Sequence, residues 1–205
     1  HLNSLELKYP ELDDPNSPTK RVGGGVSKSF EAKNHKYPMY SLQNTYSRQE
    51  VENWIIKIKK ILGDKLPISF TCELKYDGAS VSLTYENGVL IKALTRGDGI
   101  QGDDITNNVR TIKTVPLILS GDYPSFFEIR GEILMTKRVF KDLNEKRKLN
   151  KLPLFKNPRN TASGSLKTQD SKIVANRKLI CYSYSVICEN REINSQFEGL
   201  EKAKS

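Results

Sequence analysis

Between Phe70 and Ala93 the residues keep a period of two. Phe70, Cys72, Leu74 and Tyr76 alternate with Thr71, Glu73, Lys75 and Asp77; Val81, Leu83 and Tyr85 resume the pattern, and Val89, Ile91 and Ala93 carry it back. Successive side chains on a strand point to opposite faces, so this stretch reads as strands with one apolar and one polar face. Asn87-Gly88 marks a hairpin between the last two runs, because both positions tolerate positive φ. Phe127, Ile129 and Ile133 alternate with Glu128, Arg130 and Glu132 in a further strand, and Leu179 to Ile187 reads as a last one.

Helical signals lie between these runs. Ser47 and Glu50 form a capping box, in which the hydroxyl bonds the third amide and the carboxylate reaches back. Val51, Trp54, Ile55, Ile58, Ile61 and Leu62 follow at helical spacing, and Gly63 ends the run. Thr136 caps a helix running to about Leu149. A short helix is expected near 103–112, and another begins over 195–204. Residues 153–170 read as an ordered polar loop. Residues 1–30 combine a short helix with loop signals from Asp13 to Pro18 and from Gly23 to Gly25. Runs of strands with interposed helices imply a mixed α+β fold with largely antiparallel sheets and flanking helices, not an alternating parallel one.

A chain of 205 residues suits one domain or two small lobes and can bury a core without disulfide staples. Cys72, Cys181 and Cys188 are odd in number and form no CxxC pair. Their spacing fits neither a zinc site nor a disulfide framework, and free thiols point to a reducing cytosol. No apolar run approaches the ~20 residues that span a bilayer, and no signal-peptide pattern opens the chain. The formal net charge of +9 favours a polyanionic partner, since Lys and Arg neutralise phosphates and release counterions. A solvated basic surface is the other reading of that charge.

The sharpest candidate site is Cys72-Glu73-Leu74-Lys75-Tyr76-Asp77-Gly78. On an extended strand Glu73 and Lys75 project from one face, their Cα atoms roughly 6.6 Å apart. One ligand can meet both: an amine that attacks an electrophile and a carboxylate that accepts hydrogen bonds from an adjacent base. The plain alternative is an exposed polar strand face. A free lysine has a pKa of about 10.4, so a nucleophilic lysine needs desolvation or a neighbouring cation. The Gly97–Gly102 loop lacks the Gly-Lys-Ser/Thr of a phosphate loop and the ligand spacing of an EF-hand. It reads as a turn that positions Arg96.

Lys-x-Asp-Gly at 75–78 is similar to the hallmark of covalent nucleotidyltransferases. Other blocks resemble NAD-dependent DNA ligases more narrowly. They are Ser17-Pro18-Thr19-Lys20-Arg21-Val22-Gly23-Gly24, Pro38-Met39-Tyr40-Ser41-Leu42-Gln43-Asn44, Thr95-Arg96-Gly97-Asp98-Gly99 and Gly102-Asp103-Asp104-Ile105-Thr106-Asn107-Asn108-Val109. Glu128-Ile129-Arg130-Gly131-Glu132 and Asn157-Pro158-Arg159-Asn160-Thr161-Ala162-Ser163-Gly164-Ser165-Leu166 complete the set, in the family's order and across nearly the whole chain.

The resemblance implies the adenylation domain of a bacterial, cytoplasmic enzyme. Lys75 would be the nucleophile on the α-phosphate of NAD, giving lysyl-AMP and nicotinamide mononucleotide. Glu73 would read the adenine edge, Ser41 and Leu42 would line the adenylate site, and Tyr184 would lie against adenine. Arg96 and Glu132 would meet the ribose and phosphate region; Arg159 and Lys167 would engage phosphates of nucleotide or DNA. The implied co-substrate and cofactor are NAD and Mg²⁺, with no zinc in this segment. The implied partner is nicked double-stranded DNA, with no membrane and no obligate protein partner. Residues 1–46 would be the tail of an amino-terminal NAD-binding element and its linker; residues 47–205 would be the adenylation domain, incomplete at its carboxyl end and weakly active or inactive alone. Lys167 stands where many members have Arg, and Tyr76 where an aliphatic residue is common. Two other classes remain: an ATP-using ligase or capping enzyme, and a non-catalytic basic nucleic-acid-binding module.

Overall fold

The computed structural model describes residues 2–12, 14, 17, 19, 29–63, 67–189 and 193–203. The glycines at 23–25 and most of the 17–24 block lie outside them. Helix α1 (Leu2–Lys8) and a single 3₁₀ turn (Pro10–Leu12) open the chain. There follow β1 (Ala32–Asn34), α2 (Arg48–Leu62), β2 (Ala79–Glu86), β3 (Val89–Thr95), β4 (Gln101–Asp103) and α3 (Thr106–Val109). The remainder is β5 (Phe126–Leu134), α4 (Lys137–Leu149), α5 (Pro158–Leu166), α6 (Ser171–Asn176), β6 (Ile180–Ile187) and α7 (Gln196–Lys202).

The architecture is mixed α+β. Four antiparallel strands form the main sheet in the order β3-β2-β5-β6, and β1 pairs with β4 in a small second sheet. Asn87 and Gly88 turn β2 into β3 with φ of 49° and 77°, as the dipeptide implies. The two-residue period sorts the sheet into two faces. Val81, Leu83, Tyr85, Phe127 and Ile133 form one face and are buried against Ile105, Val109, Ala162, Leu166 and Val174 of the elements packed on that side.

The other face is polar yet largely closed to water. Register places Ser80 opposite Glu132, Ser82 opposite Arg130 and Thr84 opposite Glu128. Glu128 is 1% exposed and Arg130 4%, and they form an ion pair of 3.1 Å. Ser82 Oγ donates to Glu128 at 2.9 Å, and Arg130 Nη2 donates to the carbonyl of Tyr37 at 2.5 Å. The alternation at 127–133 was legible, but the burial of its polar members was not, because a distant segment around Tyr37 covers them.

Helix α2 starts where the capping box places it: Ser47 Oγ accepts from Glu50 N, and Gly63 ends the helix at φ 82°. None of its residues is buried; Trp54 packs on Phe70 with ring centroids 5.6 Å apart. Helix α4 is capped by Thr136 as expected.

Three expectations are corrected. Residues 70–77 join no strand ladder among the described residues, and Phe70 and Leu74 are exposed. The 153–170 stretch is not all loop, because Asn157 caps α5 and Pro158 sits in its first turn, where a missing N–H costs nothing. Asp170 likewise caps the unexpected α6. The helix near 103–112 shrinks to the four residues of α3, preceded by β4.

The buried Glu128–Arg130 pair gives a stability prediction. Arg130→Met strands a carboxylate in the interior and lowers the unfolding free energy by about 3–5 kcal/mol, whereas Glu128→Leu with Arg130→Met recovers most of it. Urea denaturation of the three proteins checks this; a single substitution costing under roughly 1 kcal/mol contradicts a structural role for the pair.

Candidate nucleotide site

Above the polar face, where β2, β5 and β6 meet residues 71–76, lies a cleft of about 570 Å³. That volume suits a small-molecule ligand. Ser41, Leu42, Glu73, Lys75, Arg96, Glu132 and Tyr184 all line it, from five separate stretches of chain.

Glu132 fixes the floor. Its Oε1 accepts from Gly78 N at 3.0 Å and its Oε2 from Ser80 Oγ at 2.7 Å. These bonds anchor the point where the Lys75 segment enters β2. Gly78 is required there: a Cβ would stand 2.2 Å from the Ile133 carbonyl oxygen. Tyr76, next to Lys75 in the chain, stacks on Tyr182 of β6 at 4.6 Å and 12°.

Arg96 directly follows β3 and is held by backbone. Its N–H donates to Ser80 O at 3.3 Å, and Gly99 N donates to its carbonyl at 3.0 Å. Asp98 Oδ1 accepts from Ile100 N and Gln101 N, each at 2.8 Å, closing the turn; these bonds hold its carboxyl below the usual range. Met39 N donates to Gly99 O at 2.9 Å, so this glycine loop also seats the segment carrying Ser41 and Leu42.

Tyr184 reaches the cleft through a register shift in the β5–β6 pairing, where Arg130 opposes Ser185 and Gly131 opposes Ser183. A bulge re-aims a side chain in this way. Burial pushes the Tyr184 phenol up, against a lowering hydrogen bond with Ser80, and Glu132, Arg130 and Arg96 add their charges.

Gln196, the first residue of α7, joins the site unannounced. Its Nε2 donates to both carboxylate oxygens of Glu73, at 3.0 and 3.3 Å, and to Tyr184 O at 2.6 Å. The Ser195–Glu198 capping pattern marks the helix start, but no local signal couples Gln196 to a carboxylate 123 positions away.

Arg159 and Lys167 do not line the cleft. Arg159 pairs with Asp77 at 3.0 Å, beside the Lys75 segment, and Lys167 pairs with Asp103 at 2.7 Å. Both pairs are substantially solvated, so neither holds its cation strongly. Among the described residues no three His, Cys, Asp or Glu come together as a metal cage, and no helix is long and apolar enough to cross a membrane.

The three cysteines are free thiols. Burial, then the charge of Glu132, pushes the Cys181 thiol up to about 12, whereas Cys72 is exposed. Iodoacetamide at about pH 8 therefore alkylates Cys72 and spares Cys181 until the protein is unfolded, because the thiolate is the nucleophile. Peptide mass mapping reads this, and equal early labelling of both contradicts the shielding of the partly buried Cys181.

Comparison with known proteins identifies the family. A family model described as "NAD-dependent DNA ligase adenylation domain" matches residues 27–205. Over 204 residues, 99% of the chain, it is 56% identical to a DNA ligase of Christiangramia forsetii and 55% identical to one of Flavobacterium psychrophilum. It is 53% identical over 203 residues, 98% of the chain, to a DNA ligase of Bacteroides fragilis. In each case it spans 30% of the relative's length. The chain belongs to the family of NAD-dependent DNA ligase adenylation domains.

Proposed function

We propose that this chain is the nucleotide-transfer core of an NAD-dependent DNA ligase, with Lys75 as the residue that carries AMP. The observation that carries the proposal is the convergence of Lys75, Glu73, Arg96, Glu132 and Tyr184 on one cleft. The neutral Lys75 amine attacks the α-phosphorus of NAD. An N–P bond forms, the bond to the bridging oxygen breaks, and nicotinamide mononucleotide departs with that oxygen and its electron pair. The nitrogen sheds its extra proton and remains as a phosphoramidate. In the next step AMP passes to the 5′-phosphate of nicked DNA.

The residues divide this work. Glu73 is an acceptor for the base edge, and the Tyr184 ring supplies an aromatic surface beside it. Arg96 offers planar donors to phosphate oxygens, a geometry Lys lacks. Glu132 is committed to Gly78 and Ser80; its role toward substrate is to hold the lysine segment and border the ribose region. Mg²⁺ is the cofactor this reading implies. Among the described residues no three His, Cys, Asp or Glu come together as a cage for it, and no step here runs through a metal ion. Residues 1–46 would lead into the core from an NAD-binding element. Arg159 and Lys167, outside the cleft, would exchange their carboxylate partners for DNA phosphates. A bacterial cytoplasmic location follows from the same reading.

Three measurements test it. Glu73→Gln turns one acceptor into a donor and weakens AMP binding by roughly 1–3 kcal/mol; equal calorimetric affinities remove Glu73 from base recognition. Lys75→Arg, made in the protein that contains this chain, abolishes the AMP mass addition seen after incubation with NAD and Mg²⁺. Arginine keeps the charge but does not become a neutral amine, so AMP on the variant refutes the nucleophile. DNA binding is independent of sequence and falls steeply between about 50 and 200 mM salt, because phosphate contacts carry no base information. Sequence-selective binding that survives high salt contradicts the proposed partner mode.

A further inference from the structure

Gln196 is solvent-accessible and lies on the cleft wall, and its amide is oriented by its neighbours. Both groups it touches, the Glu73 carboxylate and the Tyr184 carbonyl, are acceptors only. The NH₂ end must therefore face them; the flipped amide would set oxygen against oxygen. With its donors committed, Oε1 is what the side chain has left to offer. Among the described residues no hydrogen bond is made to it.

A carboxylate alone is a poor discriminator between purines. It accepts from the exocyclic amine of a 6-amino purine, and it also accepts from the ring N1–H of a 6-oxo purine. A fixed carbonyl oxygen beside it breaks that tie: it accepts from a 6-amino group and repels a 6-oxo group. A polar mismatch of this kind discriminates, because the rejected ligand leaves acceptors facing each other.

We infer that Gln196 is the residue that sets base selectivity in this cleft. Its amide N–H groups orient Glu73 and tie it to the β6 bulge that carries Tyr184. Its carbonyl oxygen is the acceptor for the 6-amino group of adenine, so the cleft takes a 6-amino purine nucleotide and rejects a 6-oxo one. This rests on the nucleotide-site reading of the same cleft.

The test compares calorimetric affinities for AMP and IMP in the protein containing this chain and in its Gln196→Met variant. Methionine keeps the length and removes donors and acceptor together, at an exposed position where the fold tolerates it. Wild type prefers AMP. In the variant the AMP/IMP preference falls roughly tenfold, the factor one hydrogen bond of this kind supplies. AMP binding weakens while IMP binding holds or improves; a purely structural role would weaken both alike. Gln196→Glu is the second variant. It keeps acceptor oxygens but faces Glu73 with a like charge, so its AMP affinity recovers as pH falls and the two carboxylates share a proton. An unchanged AMP preference in Gln196→Met, or equal losses for both nucleotides, overturns the role of Gln196 and leaves the nucleotide site standing. A wild type that binds neither nucleotide overturns the site and this inference together.

Discussion

The Glu132 carboxylate decides where the rest of the site can be. One oxygen takes the N–H of Gly78 and the other the hydroxyl of Ser80, so the start of β2 is pinned to β5 at side-chain as well as backbone level. The segment before Gly78 has no ladder of its own, and a carboxylate accepting a backbone N–H is a stronger tether than a neutral acceptor. Lys75, three residues upstream, is thereby suspended over the polar face of the sheet. Gly78 makes the anchorage possible, since a side chain there would displace β5.

That polar face is an unusual floor. Its inner part is closed by the Glu128–Arg130 pair and by the Arg130 bond to Tyr37 O, while its outer part, at Ser80 and Glu132, opens to the cleft. A buried ion pair is weak evidence for stability, because desolvation offsets much of the attraction. Here it has a positional consequence. By holding Tyr37, it seats the segment that continues to Ser41 and Leu42, and the glycine turn at 97–99 holds the same segment through Met39 N. Two independent tethers bring residues 41 and 42 to a site made mostly of chain that follows much later.

Much of this was legible in local text, and the failures are instructive. The hairpin at Asn87-Gly88, the caps at Ser47 and Thr136, and the strands at 81–85, 127–133 and 180–187 follow from periodicity and turn chemistry, because nearest neighbours decide them. The 70–77 stretch has strand periodicity but no partner; alternation reports which residues suit a pleated surface, not whether an edge is free to receive them. Helix α5 was readable from Asn157-Pro158 but was masked by its polar content. Lys75, Glu73, Arg96, Glu132 and Tyr184 were singled out largely through family motifs, and the structure places them on one cleft. Gln196 was invisible because its meaning comes from two acceptors brought to it by tertiary structure.

The central claim is that these separate stretches form one adenine-nucleotide site with Lys75 at its phosphate end. A crystal structure of the AMP-soaked protein tests it most directly. The account predicts ordered AMP in the cleft, its base between Tyr184 and the Glu73–Gln196 pair and its phosphate within hydrogen-bond reach of Lys75 and Arg96. AMP ordered at another surface, or bound in the cleft with its phosphate pointing away from Lys75, contradicts it.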